Sequence, residues 1–368
     1  MVAVSAAYPT TSYANVYGQA AKAAATTTSS SATASTSTAD SAATSVTLSS
    51  EAQAALAVKD FATVLAEAKA KLAALMKEAG LTSPLLSGKL AVDLSGLDQR
   101  ELFAMASDPS FSADEQTAAG LEMQRRFEAA MAGPAGVAQV TGNFTALYKA
   151  AATYLDSLGP EEKAGADWIA GRAAITEGLK QLQTAPKTMP DTSDEDPVQL
   201  YLALTNAGGA QQQDIADVAA GARKALDALY ADAIKAGKAP TFNEQTIAGT
   251  YIDLSGLPSR TLSAIALNTG DKFSTAEVAE AKAALRTKSG AALLAGFQNA
   301  AKSSDPTAFS QNIISIFSSM SAEERQAAGW SDQFYQAAVQ SYESTSKLTQ
   351  MFAEAGGDST GFMSWMGK

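Results

Sequence analysis

The sequence predicts an all-α protein: a disordered N-terminal arm followed by two tandem-duplicated helical-bundle units. Three observations carry this expectation. No window sustains the period-two alternation of a half-buried strand, so little or no sheet is expected. Apolar residues recur instead at three- and four-residue spacings, which line one side of a helix. Three blocks of sequence also occur twice, in the same order, at offsets of 160 to 162 residues.

The arm comes first. Residues 1–47 are low in complexity, and Ala23 to Ser45 is almost entirely Ala, Ser and Thr. Such a stretch has too little apolar surface to offset its chain entropy. Order is expected from about residue 48. Ser49 or Ser50 is placed to cap a helix over about Glu51 to Ala79. Its stripe holds Leu56, Phe61, Val64, Leu65, Leu72, Leu75 and Met76, and Gly80 ends it.

The duplication is read from residues. Val92-Asp-Leu-Ser-Gly-Leu97 through Ala106 matches Ile252-Asp-Leu-Ser-Gly-Leu257 through Ala266, with nine of fifteen positions identical. Phe111-Ser112…Glu115 matches Phe273-Ser274…Glu277. Ser157-Leu-Gly-Pro-Glu-Glu-Lys163 with Trp168 matches Ser319-Met-Ser-Ala-Glu-Glu-Arg325 with Trp330. Each copy thus predicts a long helix, a Leu-Ser-Gly-Leu turn and a short helix, around 98–107 or 258–268, with Pro258 suited to a first helical turn. A further helix then runs to about Leu158 or Met320. Ser112…Glu115, Ser274…Glu277 and Ser321…Glu324 have capping-box spacing. The last helix opens at Pro160 or Ser321.

The domain reading is therefore 1–47 arm, 48–183 helical unit 1, 184–197 Pro-rich acidic linker, 198–355 helical unit 2 and 356–368 apolar tail. The acidic residues Asp191, Asp194, Glu195 and Asp196 read as a solvated linker, because they lack the ligand spacing of a calcium loop.

Composition excludes much chemistry. The 368 residues contain no Cys and no His, carry a net charge of −11 and are only 7% aromatic. Disulfides, thiolate nucleophiles, Cys- or His-bound metals and Ser-His-Asp triads are excluded. No catalytic residue, cofactor or metal site is expected. Clustered Lys and Arg are missing, so nucleic acid is not an expected partner. No apolar run reaches the ~20 residues that span a bilayer. A small-molecule ligand is not expected either, although a cleft between copies is where one would sit.

The remaining candidates are structural. Asp93 and Asp253, with Arg100 and Arg260, stand at equivalent points and read as turn caps and ion pairs. Trp168 and Trp330 read as core anchors. Glu161-Glu162 and Glu323-Glu324 resemble paired acid–base carboxylates, but adjacent helical residues diverge by about 100° and acids at a helix start favour its dipole. Ser344-Thr-Ser-Lys347 matches Ser-x-x-Lys without the companion motifs of penicillin-binding enzymes. Asn143-Phe-Thr145 is a sequon only in a glycosylating host. Phe362, Met363, Trp365 and Met366 make an apolar cluster after Gly356-Gly357, suited either to folding back onto a bundle or to docking in the groove of a protein partner.

The arm, the lack of Cys, the acidic helical body and the hand-off Ser45-Val-Thr-Leu-Ser-Ser50 resemble flagellar and other signal-less exported bacterial proteins. The Leu-Ser-Gly-Leu to Phe-Ser-x-x-Glu block is similar to segments of uncharacterised alphaproteobacterial proteins. The resemblance implies a non-enzymatic structural or interaction protein at the cell surface, outside the cell or on the flagellum, reached without a cleaved signal. The alternative is a cytoplasmic adaptor that binds a protein through its tail or arm. Neither resemblance assigns a functional residue.

Overall fold

A computed structural model describes residues 59–86, 88–206, 214–245 and 247–356. The arm 1–47 and the tail cluster Phe362, Met363, Trp365 and Met366 lie outside the described residues. Of the described residues, 70% are helical, in thirteen α-helices with little sheet. They are α1 (Phe61–Ala79), α2 (Gln99–Ser107), α3 (Ala113–Thr141), α4 (Thr145–Ser157), α5 (Pro160–Lys163), α6 (Ala166–Leu182) and α7 (Pro197–Asn206), followed by α8 (Ile215–Lys235), α9 (Ser259–Ala266), α10 (Thr275–Ala301), α11 (Ala308–Ser319), α12 (Ala322–Ala328) and α13 (Asp332–Gly356). Two small strand pairs complete it. Leu85–Leu86 (β1) runs antiparallel to Lys89–Leu90 (β2), and Ala239–Thr241 (β3) runs parallel to Gly249–Tyr251 (β4).

The chain divides into two compact units. One holds the described residues up to Arg126 with Leu155–Ala173; the other holds Phe127–Tyr154 with the described residues from Ala174 onward. In the first, α1 begins at Phe61 with Asp60 at its N-cap; the expected start at Glu51, with Ser49 or Ser50 as its cap, lies outside the described residues. Its buried stripe is Val64, Ala68 and Leu72, spaced by four. Gly80, at φ 65°, ends the helix in the left-handed conformation that costs a glycine nothing. The core gathers Leu72, Val92, Leu94, Leu102, Met105, Phe111, Ala119 and Met123.

The second unit builds a comparable core from Leu226, Ile252, Leu254, Leu262, Ile265, Phe273, Ala281 and Leu285. From Ile252 to Leu285 these are the counterparts, position by position, of Val92 to Met123. Its buried Ala219, Ala222, Ala281 and Ala284 let helices approach closely, which offsets the scarcity of aromatics. A second cluster joins Val137 of α3, Ile313, Ile314 and Phe317 of α11, Trp330, and Ala338 of α13. There Gly133 and Gly136 make room for α11. A Cβ on Gly133 would lie 2.5 Å from Ser315 Oγ, and one on Gly136 would collide with Ser318.

Three helix readings need correction. The helix expected to run to Leu158 is two helices, broken at Gly142 and Asn143, whose Oδ1 accepts from Thr145 N at 2.9 Å. The sequon asparagine is thus a helix cap. The helix expected to run to Met320 is broken where Asp305 Oδ1 accepts from Thr307 N at 2.8 Å. The helices expected to open at Pro160 and Ser321 are also split, at Gly165 and at Gly329-Trp330, where Gly329 has φ 76°. A local side-chain acceptor or a left-handed glycine gives the backbone a partner that ends the helix, and an apolar stripe read alone runs through such breaks.

Candidate functional site

The repeated turns form first. In one copy Asp93 Oδ1 accepts from Ser95 N at 2.9 Å, and Leu97 N donates to Leu94 O at 3.0 Å. In the other, Asp253 Oδ1 accepts from Ser255 N at 2.7 Å, and Leu257 N donates to Leu254 O at 3.0 Å. Each Leu-Ser-Gly-Leu is therefore a reverse turn that the aspartate holds by bonding its own backbone two residues on. Those bonds keep the Asp253 carboxyl below its ordinary range, first through Ser255 N–H and then through the Ser255 hydroxyl.

The short helix that follows carries the arginine. Arg100 Nε donates to Glu161 Oε2 at 3.0 Å, Nη2 reaches Glu161 Oε1, and Nη1 donates to Lys59 O at 3.0 Å. Arg260 meets Glu323 Oε2 at 3.6 Å. Sequence placed the arginines; the structure supplies their partners, one residue of each Glu-Glu pair. Burial raises Glu161, but the Arg100 hydrogen bond, a backbone hydrogen bond and the Arg100 charge together outweigh it, and the net shift is downward. The predicted capping boxes form: Ser112 with Glu115, Ser274 with Glu277 and Ser321 with Glu324. A fourth, Asp98 with Glu101, opens α2, whereas Pro258 occupies the N-cap itself. Trp168 Nε1 donates to Leu155 O at 2.8 Å from a half-buried site. Trp330 is buried against Phe317.

Five acidic side chains are buried, Glu101, Glu122, Glu162, Asp196 and Glu277, and the last three differ in how their charge is met. Asp196 does not sit in a solvated run: it is fully buried at the start of α7, whereas Asp191, Asp194 and Glu195 are exposed. A buried carboxylate without donors costs several kcal/mol. Here Tyr148 Oη donates to Oδ2 at 2.7 Å, and Val198 N donates to Oδ1 at 2.8 Å. Burial, then Asp196, pushes the Tyr148 hydroxyl well up. Asp196-Pro197 was the legible signal, an N-cap acid followed by proline at the first helical position. Glu277 accepts from Arg223 Nη1 at 2.8 Å and Tyr230 Oη at 2.7 Å. Its burial acts upward, yet the donors hold it below the usual range. Glu162 is the third. It is only 4% exposed, Oε1 meets no protein donor, and Gln99 Nε2 is 3.4 Å from Oε2. Burial pushes its carboxyl up to about 7.

Asp196 and Glu277 are occupied in holding the fold, whereas Glu162 is not. Among the described residues, no group of three or more His, Cys, Asp or Glu is placed to hold a metal ion, and no helix is long and apolar enough to cross a membrane. Ser344 and Lys347 lie exposed on α13.

The unit's apolar surface is the feature the sequence reading missed. On α10 and α11, Phe297 and Phe309 meet edge to face at 5.8 Å, both exposed, with Leu294 on the same side three residues earlier. Ser310 Oγ lies 3.0 Å from Ser341 Oγ, fixing where α13 passes α11. Leu348 follows Ser341 by two turns on the same side. Leu348, Met351 and Phe352 are 53%, 63% and 73% exposed. Their three- and four-residue spacings were the available signal.

No protein-family model, no curated protein and no solved structure matches the chain.

Proposed function

We propose that the chain is a non-enzymatic helical structural and interaction protein of the bacterial surface or flagellum, sent there by a route that reads its Ala/Ser/Thr-rich segment 1–47. The observation carrying the interaction reading is two groups of exposed apolar side chains, Leu294, Phe297 and Phe309 on α10 and α11, and Leu348, Met351 and Phe352 on α13. Large exposed apolar side chains grouped together mark a protein contact more often than a solvated face. The non-enzymatic reading is supported by the absence of His and Cys, and by carboxylates bound up in caps, turns and ion pairs.

The body is read as a tandem duplication. Supporting this are the paired Asp93 and Asp253 turns, the paired Arg100–Glu161 and Arg260–Glu323 contacts, and the matching core positions.

The second reading is a cytoplasmic adaptor that binds a protein through the same side chains, or through Phe362, Met363, Trp365 and Met366. Fractionating producing cells separates the two. Full-length protein in the medium or envelope, with a form lacking residues 2–47 retained inside, is the expected result. Retention of both forms beside a cytosolic marker overturns the surface reading and leaves the adaptor.

A further inference from the structure

The buried acids differ in what answers their charge. Glu101 meets Lys71, Glu122 meets Arg125 and Arg126, and Glu277 meets Arg223. Asp196 takes a tyrosine hydroxyl and a backbone N–H. Glu162 is buried as deeply, yet it has only the Gln99 amide at 3.4 Å, and its Oε1 has no hydrogen-bond partner. The charged groups around it are taken. On α2, Arg100 holds Glu161 and Lys59 O, Glu101 holds Lys71, and Asp98 accepts from Glu101 N. On α5, Lys163 Nζ donates to Asp156 O, and Asp156 also pairs with Arg172. Burial and the Gln99 amide are what act on the Glu162 carboxyl. A carboxylate so placed loses its hydration and gains little in return, so its ionised form favours any arrangement that admits water.

Local structure decides where water enters. Helix α5 is a single turn, closed by Lys163 N to Gly159 O, Ala164 N to Pro160 O and Gly165 N to Glu162 O at 3.0, 3.1 and 3.0 Å. One turn returns too few bonds to offset the order it imposes. The contacts Arg100–Glu161 and Gln99–Glu162 tie it to α2. Opening this corner therefore costs less than unfolding the unit around it. We propose that residues 159–165 form a proton-operated latch. With a proton on Glu162, α5 stays seated on α2. When the proton leaves, the corner lifts as a local opening that hydrates the carboxylate and breaks the Arg100–Glu161 contact, while the rest of the unit stays folded. The latch does not depend on the interaction reading above.

Opening is linked to the release of one proton. Its population is expected to be flat below pH 4.5, to rise between 4.5 and about 7 and to level off above, by up to about 300-fold in all. The test is amide hydrogen exchange of the natural chain and of Glu162→Gln, compared with each other at pH 4 and again at pH 8, so that intrinsic exchange cancels. At pH 8 the amides of Lys163, Ala164 and Gly165 are expected to exchange at least about tenfold faster in the natural chain, and at pH 4 the two chains are expected to agree within about twofold. Equal exchange at pH 8 overturns the latch, because the ionised carboxylate is then met in place, as by turning to Arg100. An increase of the same size in α1 and α3 also overturns it, because the opening is then global. A second variant, Arg100→Ala, keeps Glu162 and removes the tie to α2. It is expected to speed the same amides severalfold at both pH values. No change at either pH means that α5 does not lift from α2, and overturns the latch.

Discussion

The two Glu-Glu corners use one plan and resolve it in opposite ways. At Glu323-Glu324, Ser321 caps α12, Glu324 closes the box, and Arg260 stands 3.6 Å from Glu323. At Glu161-Glu162, the cap is Gly159, where a Cβ would lie 2.6 Å from Arg100 Cγ. Removing the side chain lets Arg100 close a two-pronged contact with Glu161. The next carboxylate, Glu162, is left buried with one long hydrogen bond. A close, planar arginine contact is thus gained at the cost of a cap and of a destabilised neighbouring acid. Two similar local sequences can satisfy their charges in different ways.

The largest expected effect isolates Glu162. Its carboxyl rises from 4.5 to about 7 on folding. Below pH 4.5 it is protonated in folded and unfolded chains alike, and its burial carries no charge. As pH rises from 4.5 to 7 the unfolded chain has lost its proton while the folded chain keeps it, so stability falls across this interval and levels off above it, by about 3 kcal/mol at pH 8 as an upper figure. Glu162→Gln is expected to recover most of this at pH 8 and almost none at pH 4, read from urea unfolding. Glu324→Gln in the other corner, where the carboxylate sits in a cap, is expected to do neither.

Next comes the cap exchange. Gly159→Ser forces Arg100 aside and is expected to cost about 1–3 kcal/mol, the usual range for overpacking. The reverse change, Ser321→Gly, is expected to cost only a few tenths of a kcal/mol. Equal costs would mean that Arg100 does not set the choice of cap.

The ion pairs come third. Arg100→Ala is expected to lower stability by about 1–2 kcal/mol, since Arg100 and Glu161 are mostly buried and the contact is two-pronged. Arg260→Ala is expected to cost about half as much or less, as befits a longer and more exposed contact. Thermal melts in low and high salt check both, with the larger salt dependence expected for Arg260.

The smallest effect tests what the copies share. Asp93→Ala and Asp253→Ala remove the same turn contact and are expected to cost about 0.5 kcal/mol each. Unequal losses would separate the turns despite their common geometry.

Much of this plan could be read in the residues. The turns at Asp93 and Asp253, the three serine caps and the matching core positions depend on local spacing, which sequence displays directly. Asp98-Glu101 showed the same spacing and was passed over. What could not be read depends on neighbours distant along the chain. The acid at 196 meets a tyrosine at 148, and its charged neighbours disguised it as solvent-facing. Leu348 and Phe352 continue the periodicity of α13, and only the position of α11 shows that they lie uncovered. Position 159 is a glycine where Arg100, some sixty residues earlier, fills the space of a Cβ.

The division of the chain has a consequence for synthesis on the ribosome. Residues 155–173 belong with the unit that begins near residue 59, while 127–154 belong with the unit that continues from 174. The earlier unit cannot close until Ala173 has emerged, by which time the first piece of the later one is already outside. Neither unit is then a simple prefix of the nascent protein. Folding in the order of translation leaves residues 127–154 waiting for α11 and its Ser315 and Ser318, more than 150 residues downstream. Halting translation after about residue 183 should leave α4 and the glycine-bearing end of α3 exposed to protease, and the complete chain should protect them.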